Sequence, residues 1–221
     1  MTTAPRPLGQ RLKEDNWDLH EQAEHDTLPQ HMVKGTIPKE PYAELLGQMW
    51  LVSIVLAASV VAKRDEVPVL KELVTARQLQ TQYLEEDLAH WGVDTASLEP
   101  KPGTAGLIAE IERSRDAEPI RLFGLHYVRE GANNGNKYVA MKIRKAWGVE
   151  DNAGFRYLDP YGNDQRPMWD AFKVKLNEIE LAEDEKSAIV AGARSMFEHI
   201  IAMHRDFDLP PVEAAEGAPA H

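Results

Sequence analysis

The chain has 221 residues, 43% of them hydrophobic, enough to bury the core of one domain. A formal charge of −11 argues against a general binder of nucleic acid or of anionic membrane surfaces. There is no cysteine, which excludes disulfides, thiolate catalysis, Cys-ligated zinc and iron–sulfur clusters; any metal must be held by His, by carboxylates or within a cofactor.

Residues 1–16 are polar and lack the apolar stretch of a secretory signal, so the chain is expected to be cytoplasmic. No run of alternating β-branched residues lies between turn dipeptides, whereas helical periodicity is found throughout. Residues 8–24 place Leu8, Leu12, Trp17 and Leu19 along a first helix. A short helix over 26–33 closes at Gly35, and Pro38 precedes a long one over 40–63. Within the latter, Leu45–Val61 is apolar enough to suggest a membrane span, but Gln48 and two serines favour a core helix. Further helices are expected over 67–74, 76–91 (ending at Gly92) and 104–113.

The segment from about Glu118 to Trp147 is the longest, and it carries Gly124, Gly131, Asn133, Asn134, Gly135 and Asn136. Each glycine costs a helix about 0.5–1 kcal/mol against alanine, and asparagine is a weak helix former. Either two loops meet here, or the helix is kept thin so that something can lie against its backbone. A Pro-, Gly- and Asn-rich loop over 151–166 leads to helices over 167–179 and 183–207. Residues 208–221 read as a disordered Pro/Ala-rich tail. The expectation is one all-α domain of about eight helices over residues 1–207.

His20 stands four residues before Glu24, on one helix face, where a carboxylate can orient an imidazole that ligates a metal. A second His/carboxylate set comprises Glu85, Glu86, His90, His199 and His204, but its spacings differ from the Glu-x-x-His pairs of di-iron bundles. No phosphate loop, nucleophile elbow or H-E-x-x-H motif is present.

LKEDNWDLHEQAE, VKGTIPKEPYAELLGQMWLV, LEEDLAHW, EPIRLFGLHYVREGANNGNKYVAMKI, FRYLDPYGN and FKVKLNEIELAEDEKSAIVAGARSMFEHII together resemble the heme oxygenase family, from about Gly9 to Phe207. The resemblance implies a helical fold with haem between a proximal and a distal helix. Haem, as both substrate and cofactor, would be opened with O2 and electrons to biliverdin, releasing iron and CO. His20 would be the axial iron ligand, with Glu24 one turn on. Lys13, Tyr127 and Lys173 would meet the haem propionates, Lys173 replacing a family arginine. Tyr127 and Arg129 match a Tyr-x-Arg of the distal helix. Gly131, Ala132, Asn133 and Gly135 would form a close-packed wall over the iron.

The sequence departs from the family at the distal glycine–aspartate pair. Ungapped alignment sets Ala132 and Asn133 on that pair, and a one-residue shift restores the glycines but sets Ala132 on the aspartate. In neither register is the acid retained, and an amide cannot act as a carboxylate. His126 is then the next group to test as a proton source. The electron donor implied is a ferredoxin or flavoprotein reductase, docking on Lys137, Lys142, Arg144, Lys145 and Lys173. Two other readings stay open: a non-catalytic haem-binding or haem-sensing protein on the same scaffold, and a di-iron oxidase of the wider helical superfamily. The sequence does not determine the oligomeric state.

Overall fold

A computed structural model describes residues 6–212. It is all-helical, with no strand among the described residues. The helices are α1 (Leu8–Glu14), α2 (Trp17–His25), α3 (Thr27–Lys34), α4 (Lys39–Lys63), α5 (Pro68–Leu73), α6 (Ala76–Leu79), α7 (Thr81–His90), α8 (Pro102–Ala117), α9 (Arg121–Trp147), α10 (Gln165–Glu178) and α11 (Glu183–Arg205).

Among the described residues there are eleven rather than about eight: nine separate helical segments are expected along the chain, and two of them are each divided. The break between α1 and α2 falls at Asn16, whose buried side-chain amide donates to the Leu12 carbonyl at 2.9 Å. That bond captures the acceptor a continuing backbone would have used. The break between α6 and α7 falls at Gln80, the one non-glycine residue with positive φ (60°) among the described residues. Its side chain is drawn into the interior, and the backbone turns left-handed to place it there.

By contrast, α9 runs unbroken for 27 residues through all of its glycines and asparagines. Tertiary packing overrides weak propensity here. The helix lies along α11 and is also flanked by α3, α8 and α10. At Gly124, a Cβ would overlap the carbonyl oxygen of Ile189 on α11, so this glycine serves helix crossing. The helix ends at Gly148 in the left-handed conformation (φ 68°), where its N–H and that of Val149 satisfy the last carbonyls.

Two hydrophobic clusters make the core. One gathers Leu12, Leu56, Leu70, Ile111, Phe123, Leu125, Phe172, Ile189 and their neighbours. The other gathers Leu28, Tyr42, Leu46, Leu84, Leu88, Ile143, Phe155 and Phe207. Along α9 the first cluster takes residues 122–128 and the second takes Ala140 and Ile143, leaving a buried polar stretch between them. The loop after α9 is held by Gly154, whose carbonyl accepts from both the Tyr42 hydroxyl and Trp91 Nε1 at 3.0 Å. By length and composition α4 could cross a membrane, yet half of its most apolar stretch is buried within the fold. Leu209 packs on the second cluster and the Pro210 carbonyl bonds His31 Nε2 at 2.8 Å. Of the expected tail, residues 213–221 lie outside the described residues.

Candidate functional site

His20 lies on α2, and two features hold that helix in place. Arg194 of α11 binds both carboxylate oxygens of Asp18 (3.1 and 2.9 Å) and the Asp15 carbonyl at 3.2 Å. A forked guanidinium pair of this kind fixes orientation as well as distance. The His20 ring stacks on Trp17 (centroids 5.2 Å apart, planes 8° apart) and meets the edge of Phe197 on α11 at 5.7 Å. Its Nδ1 is buried without a hydrogen bond, with Glu24 Oε1 3.8 Å away. The imidazole side chain nevertheless keeps 41% of its surface exposed. One nitrogen therefore faces an orienting carboxylate, and the other is uncommitted.

Both α2 and α9 pack against α11 and α3, and the resemblance to heme oxygenases implies a haem cleft between them. On α9, Ala132 and Gly135 are exposed, and a Cβ at Gly135 would meet nothing within 4 Å. A Cβ at Gly131 would touch the Trp169 ring of α10 at 3.4 Å. The four residues expected to form one wall are thus divided. Asn133 is 1% exposed and turned into the core, because two residues along a helix rotate the side chain by about 200°. Ala132 and Gly135 remain on the open face.

Asn133 joins a buried polar cluster that the sequence reading missed. Its amide donates to Glu130 Oε2 at 3.3 Å, and the same oxygen accepts from the Tyr161 hydroxyl at 3.1 Å and Gln80 Nε2 at 3.4 Å. Arg129 Nη2 is 3.7 Å from that oxygen, while Arg129 Nη1 donates to Gln80 Oε1 at 2.8 Å and Nη2 also binds the Gln78 carbonyl. Burial raises the Glu130 pKa, against the opposing pull of Arg129, Tyr161 and Gln78. His126 is fully buried, and that burial, with the Arg129 charge beside it, pushes its pKa well down, so it stays neutral. The signal was present in the sequence: His126, Arg129, Glu130 and Asn133 recur at i, i+3, i+4 and i+7, the spacing of a core-facing stripe written in polar residues.

Lys13 of α1 is exposed, with Nζ 5.9 Å from the Trp17 ring centroid. Lys173 of α10 pairs with Asp170 at 2.9 Å. The two helices are neighbours, joined where the Gly9 N–H donates to Asn177 Oδ1 at 3.2 Å. Tyr127 packs on Trp169 and Phe172, and burial lifts its pKa to about 12, so its hydroxyl keeps its proton. Lys137 is tied to the Gly162 carbonyl at 2.6 Å and Arg144 to Asp151 and Asn152, whereas Lys142 and Lys145 are exposed.

The second His/carboxylate set does not converge. Glu86 pairs with Arg156 at 3.1 Å, His199 Nδ1 bonds its own helix at Ser195, and no three His, Asp or Glu side chains among the described residues form a metal cluster. A depression of about 490 Å³ beside Glu86, Asp87 and His90 is open to solvent, and none of His20, Ala132, Gly135, Lys13 or Lys173 lines it.

The donor set of the cleft fits a haem. An imidazole has one free nitrogen, rings lie beside it, Lys13 lies near one of those rings, and α9 carries exposed Ala132 and Gly135. The chain matches the model of the heme oxygenase family over residues 6–206. It is 23% identical over 197 residues to heme oxygenase 2 of Synechocystis sp., covering 86% of this chain and 78% of that one. Among solved structures, the heme oxygenase of Leptospira interrogans superposes with a TM-score of 0.84 at 20% identity, covering 91% of this chain and all of that one. Heme oxygenase-2 of Synechocystis, in complex with heme and NO, gives a TM-score of 0.84 at 22% identity, covering 91% and 85%. With the family model matched over almost the whole described chain, and the fold shared with these structures, the protein belongs to the heme oxygenase family.

Proposed function

We propose that this protein binds haem between α2 and α9 and, with O2 and electrons from an external donor, opens it to biliverdin, iron and CO. The observation that carries this reading is His20 with an uncommitted ring nitrogen on α2, together with the exposed Ala132 and Gly135 on α9. Haem supplies the iron at which O2 is reduced, so the protein is left with binding, orientation and proton control.

His20 is the axial ligand in this reading, with Glu24 beside Nδ1 to hold the ring orientation. Lys13 and Lys173 offer charge to the propionates, and Tyr127 offers a hydroxyl that stays protonated. The small residues of α9 admit a flat ligand close to the helix backbone. A ferredoxin or flavoprotein reductase donates the electrons, and Lys142 and Lys145 are the cations free to meet it.

The test is titration of the protein with haem, followed by reduction in air. A Soret band that decays as biliverdin absorbance grows is the expected result. A stable Soret band under reduction would leave a haem-binding protein without turnover, and no Soret band at all would overturn the assignment of the cleft.

A further inference from the structure

The break between α1 and α2 comes just before His20, and one side chain pins it from outside. Arg194 of α11 donates through Nη1 to the Asp15 carbonyl at 3.2 Å and to Asp18 Oδ1 at 3.1 Å, and through Nη2 to Asp18 Oδ2 at 2.9 Å. Asp15 closes α1 and Asp18 lies in the first turn of α2, so a single guanidinium holds both sides of the break. Trp17, whose ring stacks on His20, sits between those two acceptors in the chain. Glu198, one turn along α11, stands 3.7 Å from Arg194 Nε and holds the guanidinium from its own helix.

Arg194 belongs to a row. Glu183, Ser187, Arg194 and Phe197 fall within about 80° of one another around α11 and span about 21 Å of it. Arg11 of α1 pairs with Glu183 at 3.3 Å and donates to Ser187 Oγ at 3.1 Å, while Phe197 meets the edge of the His20 ring. One face of α11 is therefore the template on which α1 and α2 are both laid, and Arg194 stands where the chain turns from one to the other.

We infer that Arg194, with Asp18 as its partner, is a positioning residue for the His20 imidazole, fixing the plane of the ring through the turn that carries Trp17. This rests on the haem-cleft reading above in so far as the imidazole is the iron ligand; the orientation of the ring does not depend on it. A fork closed on one carboxylate, with a third bond to a backbone carbonyl, permits one arrangement. An ammonium would meet Asp18 as a point charge and leave the turn free to rotate. Both side chains are half-exposed, so the pair adds little to stability and its effect falls on orientation. A ligand held in place before haem arrives loses less freedom when it binds, and the complex it forms lasts longer.

The first measurement needs no haem. In proton–carbon NMR of the histidine rings, the resonances that vanish in His20→Ala are expected upfield of an exposed histidine, because this imidazole lies over the Trp17 ring. Arg194→Lys keeps the charge and most of the stem. It is expected to melt within about 4 °C of wild type while those resonances move toward the exposed position. Asp18→Asn breaks the fork from the other side and is expected to move them equally, with the double variant going no further. With haem bound, each variant is expected to release it about tenfold faster and to shift the iron–imidazole vibration in resonance Raman spectra. Wild-type ring resonances and wild-type haem release in Arg194→Lys would overturn the inference. So would resonances that move only together with an early melt, since the role would then be structural. A wild-type protein that bound no haem would instead remove the cleft reading, while the ring resonances would still report whether Arg194 orients His20.

Discussion

Gly124 on α9 and Gly192 on α11 stand opposite each other where the two helices cross. A Cβ on Gly124 would overlap the Ile189 carbonyl, and a Cβ on Gly192 would overlap the Arg121 carbonyl. The obstructing atoms are backbone, so neither helix can yield by a side-chain rotation. Gly124→Ala or Gly192→Ala is expected to cost about 2–3 kcal/mol and to lower the melting temperature by roughly 4–12 °C. Thermal denaturation of the haem-free protein checks this.

Gly135 should behave in the opposite way. Its Cβ position is open, so Gly135→Ala is expected to stabilise the haem-free helix by about 0.5–1 kcal/mol. Gly135→Leu should fold equally well but weaken haem binding at least about tenfold, or about 1.4 kcal/mol, by filling the cleft. Melting curves paired with haem titrations separate the two effects, and a Leu variant that bound haem normally would place haem elsewhere.

His20→Ala removes a half-exposed ring and one stacking contact with Trp17, at a cost of about 0.5–1.5 kcal/mol of stability. The fold should survive. The absorption spectrum of the ferric haem complex should change, and added imidazole should restore part of it. An unchanged spectrum in the variant would exclude His20 as the ligand.

Lys13 and Lys173 are expected to contribute unequally to haem affinity. Lys173 already has a carboxylate partner in Asp170 at 2.9 Å, which it must share or leave, whereas Lys13 lies exposed over Trp17. Lys13→Ala should weaken haem binding about tenfold and Lys173→Ala clearly less. Fluorescence quenching of the tryptophans during haem titration measures both, and equal losses would count against the assignment.

Asp87 and His204 pull stability in opposite directions across one acid range. Burial lifts Asp87 to about 6, despite the N–H bonds from Tyr157 and Arg156. A carboxyl raised by folding is most stabilising below its unfolded pKa of about 4, and that contribution is lost as the pH rises through 6. Burial lowers His204 to about 4. Its contribution is present above the unfolded value of about 6.5 and is lost as the pH falls toward 4. Asp87→Asn should therefore remove a decline in stability between about pH 4 and 6, and His204→Leu should remove a loss on acidification. Each change is expected to be roughly 2–3 kcal/mol between those limits. Urea denaturation at several pH values reads both slopes.

Much of this protein was legible from residue order alone. Helical periodicity with no strand pattern determined the all-α class, and Gly35 and Pro38 marked helix ends because φ is a local property. The LHEQAE string singled out His20 and Glu24, since residues four apart share a helix face in any fold. What the sequence left open was settled by contacts between distant segments. Only packing on α11 kept α9 helical through its glycines and assigned Gly124 to a crossing and Gly135 to an open face, although the two are the same residue in the same helix. Only the return of the loop after α9 brought Tyr161 to Gln80, 81 positions away in sequence, and enclosed Glu130 between them. Local propensity acts through the backbone of a few neighbours, whereas burial and proton affinity depend on which distant side chains displace water around a group, and that is decided only when the chain has folded.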